Sequence, residues 1–98
     1  QRDVVLFCAG WKDRINLEDS LFAGAVAASY PVRDCDDATL MARDAFELAK
    51  DNIYETLQNS NHFKRLASKG VTKDIAYCCE VNVLKIVPVL KEGKLVVA

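Results

Sequence analysis

The sequence lacks most features that mark a specialised class of protein. Its 98 residues include only two prolines, one tryptophan and one histidine, and 13 basic side chains nearly balance 14 acidic ones. No apolar run is long enough to cross a bilayer, and no basic head with an apolar stretch and a small-residue cleavage site indicates a signal peptide. The net charge of -1 leaves no basic face for nucleic acid. We therefore expect a folded cytoplasmic protein that binds neither a membrane nor nucleic acid.

The four cysteines follow no spacing typical of a metal or redox site. Cys8 lies in an apolar segment, Cys35 lies in a polar turn, and Cys78 and Cys79 are adjacent. There is no C-x-x-C pair, and the single histidine, His62, matches no zinc-ligand spacing. Adjacent cysteines rarely bridge each other without strain. We interpret them as free thiols in a reducing compartment.

The hydrophobic pattern predicts a mixed α/β chain that is rich in helices. Residues 3–8 form a short continuous apolar run, which is typical of a strand buried on both faces. The predicted helices are 17–29, a long helix capped by Asp36 or Asp37 that runs to about 59, 61–67 capped by Ser60, and 73–80 capped by Thr72. Residues 85–98 are predicted to form a β-hairpin with its turn at 91–94. Pro88 in its first arm indicates an edge strand or a bulge.

The helix predicted at 17–29 carries apolar side chains on both faces beyond its first turn. Leu21 and Ala25 mark one face, and Phe22 and Val26 mark the opposite one. A helix that is apolar all round is expected to be buried, and a chain of this size has little material to bury it. We therefore expect either a missing part of the same protein or a second subunit, as in a homodimer, to cover it. The start at Gln1, without an initiator Met, also indicates a piece of a longer chain.

The junction between the predicted strand and the first helix carries the chemistry. Gly10 permits a sharp bend, and Asn16 is a good helix N-cap. Such a unit directs backbone N–H groups and the positive end of a helix dipole toward one point, which can hold an anion. Lys12 and Arg14 could add positive charge there. A divalent cation could also bind, at the acidic residues 18 and 19 of the first helical turn.

Each of these residues also has a purely structural interpretation. Acids are common in the first turn of a helix because they suit its dipole, and lysine and arginine in loops are usually solvated. Glu18 and Asp19 are neighbours about 100° apart around the helix, so they cannot easily point at one place. We expect one to face a metal or substrate and the other to support the loop. The sequence leaves open which is which.

The ordered segments along the chain resemble the 2-phosphosulfolactate phosphatase family. The resemblance rests on Cys8-Ala9-Gly10, Leu17-Glu18-Asp19 and Ala23-Gly24-Ala25, followed by 60–66, Gly70, 74–78 and Val87-Pro88. It covers nearly the whole chain, which would be the C-terminal part of an α/β enzyme about twice as long. The resemblance implies magnesium-dependent hydrolysis of 2-phospho-3-sulfolactate, or a similar small anionic phosphate ester, to sulfolactate and phosphate. That reaction belongs to coenzyme M biosynthesis in methanogens.

The resemblance also implies roles for individual residues. Glu18 and Asp19 would be the catalytic and Mg²⁺-binding residues, and the substrate would be bound by Cys8, Ala9, Gly10, Lys12 and Arg14. The sequence departs from the family pattern at Trp11, Asp13, Phe22 and Asn82. We expect the 98 residues alone to be inactive, because the family's N-terminal motifs are absent. The alternative hypothesis is a non-catalytic assembly or ligand-sensing domain.

Overall fold

The computed structural model describes residues 2–98, and these form a helix-rich α/β chain. In order, the elements are α1 (Leu17–Ala27), a 3-10 turn (Val32–Asp34), α2 (Asp37–Ala49), α3 (Ile53–Leu57), α4 (Asn61–Ala67), α5 (Thr72–Cys78), β1 (Pro88–Lys91) and β2 (Lys94–Val97). The predicted mixed class and the C-terminal hairpin are confirmed. No helix in the described part of the chain combines the length and apolar character that a membrane crossing requires.

Helices α1 and α2 pack closely against each other at Gly24. A Cβ atom added at Gly24 would lie 2.0 Å from the Ala42 carbonyl oxygen and 2.9 Å from Cβ of Phe46. Only a residue without a side chain therefore lets the two helix backbones approach this closely. At the end of α1, the Arg43 guanidinium donates to the carbonyl oxygens of Ala27, at 3.0 Å, and of Tyr30. These two hydrogen bonds fix the C-terminal end of α1 against the side of α2.

A small core continues from this contact into the following helices. Leu21, Ala49 and Leu57 are buried together, and their half-buried neighbours are Leu17, Ala45, Ile53 and Cys79. Tyr54 and Phe63 meet edge to face with ring centroids 5.6 Å apart, which connects α3 to α4. Because Leu17 and Leu21 both pack against this core, the first turn of α1 is held against α2 and α3.

Side-chain caps begin three of the helices, α1, α2 and α4, at predicted positions. The Asp19 N–H donates to Asn16 Oδ1 at 3.3 Å, and the Phe63 N–H donates to Ser60 Oγ at 3.0 Å. Asp36 caps α2 by accepting from the Thr39 N–H at 2.8 Å. Hydrogen bonds from the Thr39 side chain and backbone lower the pKa of Asp36, because they stabilise its charged form. Thr72 is not a cap, since α5 begins at that residue and Val71 precedes it without a side-chain bond.

The long helix predicted from 36 to 59 is wrong, because the chain breaks into α2 and α3. Helix α2 ends at Ala49, and the Asn52 N–H turns back to the Ala49 carbonyl at 2.8 Å. Asp51 and Asn52 have low helix propensity, so a break here costs little. The break brings Ala49 and Leu57 into the same core, which a straight helix would not achieve.

The buried strand predicted at 3–8 is also not formed. These residues pair with no other strand of the described chain, and Val5 and Phe7 are 82% and 90% exposed. A strand needs a neighbour to pair with, and the only sheet within residues 2–98 consists of β1 and β2. Helix α1 is likewise open to solvent on one side, where Phe22 is 70% exposed. The expectation that a missing part of the protein or a second subunit covers this side stays a prediction.

The C-terminal hairpin has a regular register and a tight turn. Pro88 is paired with Val97 and Lys91 with Lys94. The two loop residues, Glu92 and Gly93, have φ values of 50° and 75°. Positive φ at both positions is the signature of a type I′ turn, whose twist matches that of the strands. Pro88 is the first residue of an edge strand, where its missing N–H costs no ladder bond.

We expect Gly24→Ala to destabilise the protein by about 1–3 kcal/mol, because the new methyl group overpacks the α1–α2 contact. The sign of this stability change tests the packing. Intrinsic helix propensity alone would make alanine more stable than glycine here by about 1 kcal/mol. Urea denaturation of the two proteins measures the difference. Asp44→Ala on the exposed side of α2 is the control and should change stability by less than about 0.5 kcal/mol. A stability gain in Gly24→Ala would contradict the close packing.

Candidate functional site

The bend that precedes α1 is a tight turn closed by two backbone hydrogen bonds. The Trp11 N–H donates to the Arg14 carbonyl at 3.1 Å, and the Arg14 N–H donates back to the Trp11 carbonyl at 3.0 Å. Lys12 and Asp13, between them, have φ values of 50° and 61°. This left-handed conformation is uncommon for residues other than glycine, and strained backbone of this kind clusters at functional sites.

Gly10 is the residue that lets the bend close. Its φ is 71°, and a Cβ atom added to it would lie 2.6 Å from the Arg14 carbonyl oxygen. Both the backbone angle and the available space therefore require glycine here. The sequence prediction of a glycine bend is confirmed.

Asp19 holds the bend against the first turn of α1. The Gly10 N–H donates to Asp19 Oδ2 at 2.8 Å, a charge-assisted hydrogen bond. The Cys8 thiol lies 3.5 Å from the Asp19 carbonyl oxygen, so its S–H can donate a weak hydrogen bond to that oxygen. One carboxylate thus supports the loop, as the sequence predicts for one of the two acids.

Glu18 points toward α4. Its Oε2 lies 3.5 Å from His62 Nε2, with the two side chains 43% and 24% exposed. His62 Nδ1 in turn lies 2.8 Å from a terminal guanidinium nitrogen of Arg65. The Arg65 guanidinium carbon lies 4.1 Å from the centroid of the Trp11 ring, a cation–π contact. Trp11, Glu18, His62 and Arg65, which we call the Glu18 cluster, therefore join the bend, α1 and α4.

Sequence reasoning did not place His62 and Arg65 in the site. Their spacing puts them on one face of α4, and that pairing could be read from the sequence. Their contacts with Glu18 and Trp11 depend on how α4 packs against α1, which no local pattern reveals. Trp11 entered the sequence analysis only as a departure from the family pattern.

An open depression of about 300 Å³ lies between the bend and the start of α1. The residues that line it are Cys8, Ala9, Gly10, Asp13, Arg14, Ile15, Asn16 and Ser20. Four of the five residues predicted to bind substrate are among them, and Lys12 is not. Lys12 Nζ lies 5.9 Å from the Trp11 ring centroid instead. The lining carries the opposed charges of Arg14 and Asp13. The substrate-binding and catalytic assignments made from the sequence stay predictions.

The donors offered to a metal are carboxylate oxygens, which suit Mg²⁺. Within residues 2–98 no group of three or more His, Cys, Asp or Glu side chains is placed to hold a metal. A Mg²⁺ ion needs only one or two protein carboxylates, since water and substrate phosphate complete its coordination. The Glu18 carboxylate, which accepts no hydrogen bond from the bend, therefore fits the chemistry of such an ion as one ligand, whereas Asp19 is engaged by the Gly10 N–H.

The cysteines are free thiols throughout the described chain, as predicted. Cys79 is half-buried beside the core, and burial raises the pKa of its thiol, with the negative charge of Glu18 adding to the effect. Its thiol therefore stays protonated at neutral pH and is a poor nucleophile. Cys8 and Cys78 are exposed.

A family model for 2-phosphosulpholactate phosphatase matches residues 1–93. The chain belongs to this family. The resemblance drawn from the ordered segments is thereby confirmed, and it extends over both the bend and the Glu18 cluster.

Members of the family from several bacteria align over almost the whole chain. The chain is 38% identical over 93 residues to a protein of Thermotoga petrophila, covering 95% of this chain and 41% of that protein. It is 33% identical over 99 residues to one of Symbiobacterium thermophilum, covering 96% and 42%. It is 36% identical over 98 residues to one of Carboxydothermus hydrogenoformans, covering 97% and 41%. Each bears the name "Probable 2-phosphosulfolactate phosphatase".

The chain thus spans about two fifths of the length of these curated relatives. No solved structure matches it.

We expect Gly10→Ala to open the bend. The left-handed backbone costs a non-glycine residue about 1–2 kcal/mol, and the clash with the Arg14 carbonyl adds to this. The Gly10 N–H should then exchange with solvent faster, because its bond to Asp19 is lost; amide hydrogen exchange measures this. Gly70→Ala is the control, since Gly70 also has a positive φ of 75° but has open space around it. Equal exchange at position 10 in wild type and Gly10→Ala would contradict the role of Gly10.

We expect the thiols of the 98-residue chain to react with iodoacetamide at different rates near neutral pH. Cys79 should be modified more slowly than the adjacent Cys78, because its thiol is more buried and its pKa is raised. Mass spectrometry of time points measures each site. Glu18→Gln removes the nearby negative charge and should speed modification of Cys79 alone. Modification of Cys79 before Cys78 would contradict this environment.

Proposed function

We propose that this chain forms part of a magnesium-dependent phosphatase that hydrolyses a small anionic phosphate ester. The candidate substrate is 2-phospho-3-sulfolactate, which would give sulfolactate and phosphate. Family membership supports the reaction class, and the relatives' names supply the substrate. The single structural observation behind the proposal is the strained bend at Gly10, held by Asp19 beside the exposed carboxylate of Glu18.

The substrate's charge sets the demands on the site. A phosphate monoester carries close to two negative charges at neutral pH, and sulfolactate adds a carboxylate and a sulfonate. The side chain of Arg14 is suited to binding such an anion. The N–H groups of Gly10, Trp11 and Arg14 already donate to acceptors within the bend and to Asp19, so they hold its shape. Lys12 lies outside the depression but on the same turn, and its charge would attract the ester from solution.

We assign different roles to the two acids. One carboxylate oxygen of Asp19 accepts a hydrogen bond from the Gly10 N–H, so we assign Asp19 to holding the bend. Glu18 is the acid turned away from the bend, and we assign it to Mg²⁺. When bound, the ion would neutralise phosphate charge and lower the pKa of a bound water. Asp13, on the wall of the depression, opposes anion binding unless that positive charge is present.

A further part of the same protein should complete the site. The chain spans about two fifths of the length of its relatives, and within residues 2–98 no group of three or more His, Cys, Asp or Glu side chains is placed to hold a metal. We infer that the 98 residues correspond to the C-terminal part of the enzyme and are inactive alone. The exposed side chains of Phe7 and Phe22 lie on surfaces that the rest of the enzyme would cover.

In the whole protein, we expect Glu18→Gln to reduce the rate of phosphate release on the order of 100-fold, the scale for losing one group that stabilises transition-state charge. Asp19→Asn keeps an acceptor for the Gly10 N–H, so its rate of phosphate release should fall less than that of Glu18→Gln. The assay measures phosphate released from 2-phospho-3-sulfolactate with added Mg²⁺ and after chelation. Asp44→Asn removes an exposed acid from α2 and should leave the rate unchanged.

Full activity of both variants would contradict the assignment of the first turn of α1. Activity that survives chelation would contradict the magnesium requirement. A whole protein that binds neither Mg²⁺ nor phosphate and forms a stable dimer would instead support the non-catalytic assembly domain.

A further inference from the structure

The Glu18 cluster contains a hydrogen-bonding arrangement that fixes the protonation pattern of His62. All the nitrogens of an arginine guanidinium are donors, so the Arg65 nitrogen at 2.8 Å must donate to His62 Nδ1. Nδ1 must then carry a lone pair rather than a proton. In a neutral ring the proton consequently lies on Nε2, the nitrogen that faces Glu18.

Arg65 is itself held in place from two sides. Its guanidinium lies over the Trp11 ring at 4.1 Å and is bonded to His62. Its Nε atom is buried and, within residues 2–98, has no hydrogen-bond partner. An unsatisfied buried N–H lowers stability, and such groups persist mainly where another requirement places them. The packing therefore holds Arg65 in this position even though its Nε–H is left without a hydrogen-bond acceptor among the described residues.

We propose that His62 is a positioning residue for the Glu18 carboxylate, with its tautomer set by Arg65. The inference rests on the proposed function, in which Glu18 binds Mg²⁺. The Nε2–H faces Glu18 Oε2 at 3.5 Å, longer than a standard hydrogen bond by about 0.5 Å. Such bonds commonly tighten once substrate is bound. By restraining one oxygen, His62 leaves the other oriented for the metal, as outer hydrogen-bond partners of metal ligands do.

Trp11 has a part in the same arrangement. It lies at the start of the tight turn that carries Lys12 and Asp13, so its contact with Arg65 connects the bend to α4. Closure of the bend and orientation of Glu18 are thus coupled through one guanidinium.

Nitrogen-15 NMR of the imidazole tests the tautomer without any assay of activity. In the whole protein the His62 signals are assigned by comparison with His62→Gln. We expect the Nε2–H tautomer in wild type and in Lys64→Met, an exposed neighbour on α4. Arg65→Met should produce a mixture of tautomers, and Glu18→Gln should shift the Nε2 signal. A predominant Nδ1–H tautomer in wild type, or no change in Arg65→Met, would overturn the inference.

Kinetics of the whole protein test the positioning role. His62→Leu removes the donor and should lower kcat about 10-fold or more, the scale for losing an outer partner of a metal ligand. KM should stay within about twofold, since His62 does not touch substrate. His62→Gln offers an amide N–H near the Nε2 position and should recover much of the rate. Lys64→Met should behave as wild type.

A double-mutant cycle separates this inference from the proposed function. If His62 acts through Glu18, the pair Glu18→Gln with His62→Leu should be no slower than Glu18→Gln alone. Effects that multiply, or a His62→Leu variant with wild-type kinetics beside an impaired Glu18→Gln, would overturn the positioning role and leave the proposed function standing. A wild-type protein that hydrolyses no phosphate ester would overturn the proposed function, and the positioning role of His62 with it.

Discussion

The contact of α1 with α2 at Gly24 is the constraint on which the other features depend. The helix backbones meet where any side chain would collide with the Ala42 carbonyl, so α1 has little freedom to rotate or slide. Because α1 is fixed, its first turn is fixed too, and that turn carries both acids. The inner face of the helix thus packs the core, and the two acids of its first turn contact the bend and face α4.

The two acids at residues 18 and 19 illustrate how one helical turn separates functions. They differ by about 100° around the axis, and each meets a different partner. Asp19 meets the Gly10 N–H of the bend, whereas Glu18 meets His62 of α4. Adjacent residues of the same chemistry therefore acquire different environments from geometry alone, one bonded to a loop N–H and the other facing an imidazole.

Local signals in the sequence predicted the features that local interactions determine. Asn16, Asp36 and Ser60 are caps because their side chains reach an N–H three residues on, and the glycine bend follows from the same kind of reasoning. The break after Ala49 was missed, because periodicity continues across it and only the shared core makes it favourable. The Glu18 cluster needed tertiary packing to become visible. The strand at 3–8 was predicted from composition, but pairing depends on a neighbouring strand that residues 2–98 do not provide.

The exposed segment at 3–8 has a consequence for how the 98-residue chain behaves when it is produced alone. Val5 and Phe7 are largely open to solvent, and the segment has high β-propensity without a proline. Segments of this kind template pairing with copies of themselves, which leads toward aggregation. Arg2 and Asp3 directly precede the apolar residues, and charges next to such a run act as gatekeepers against stacking. The chain's colloidal behaviour will thus depend on protein concentration, and on salt that screens those flanking charges.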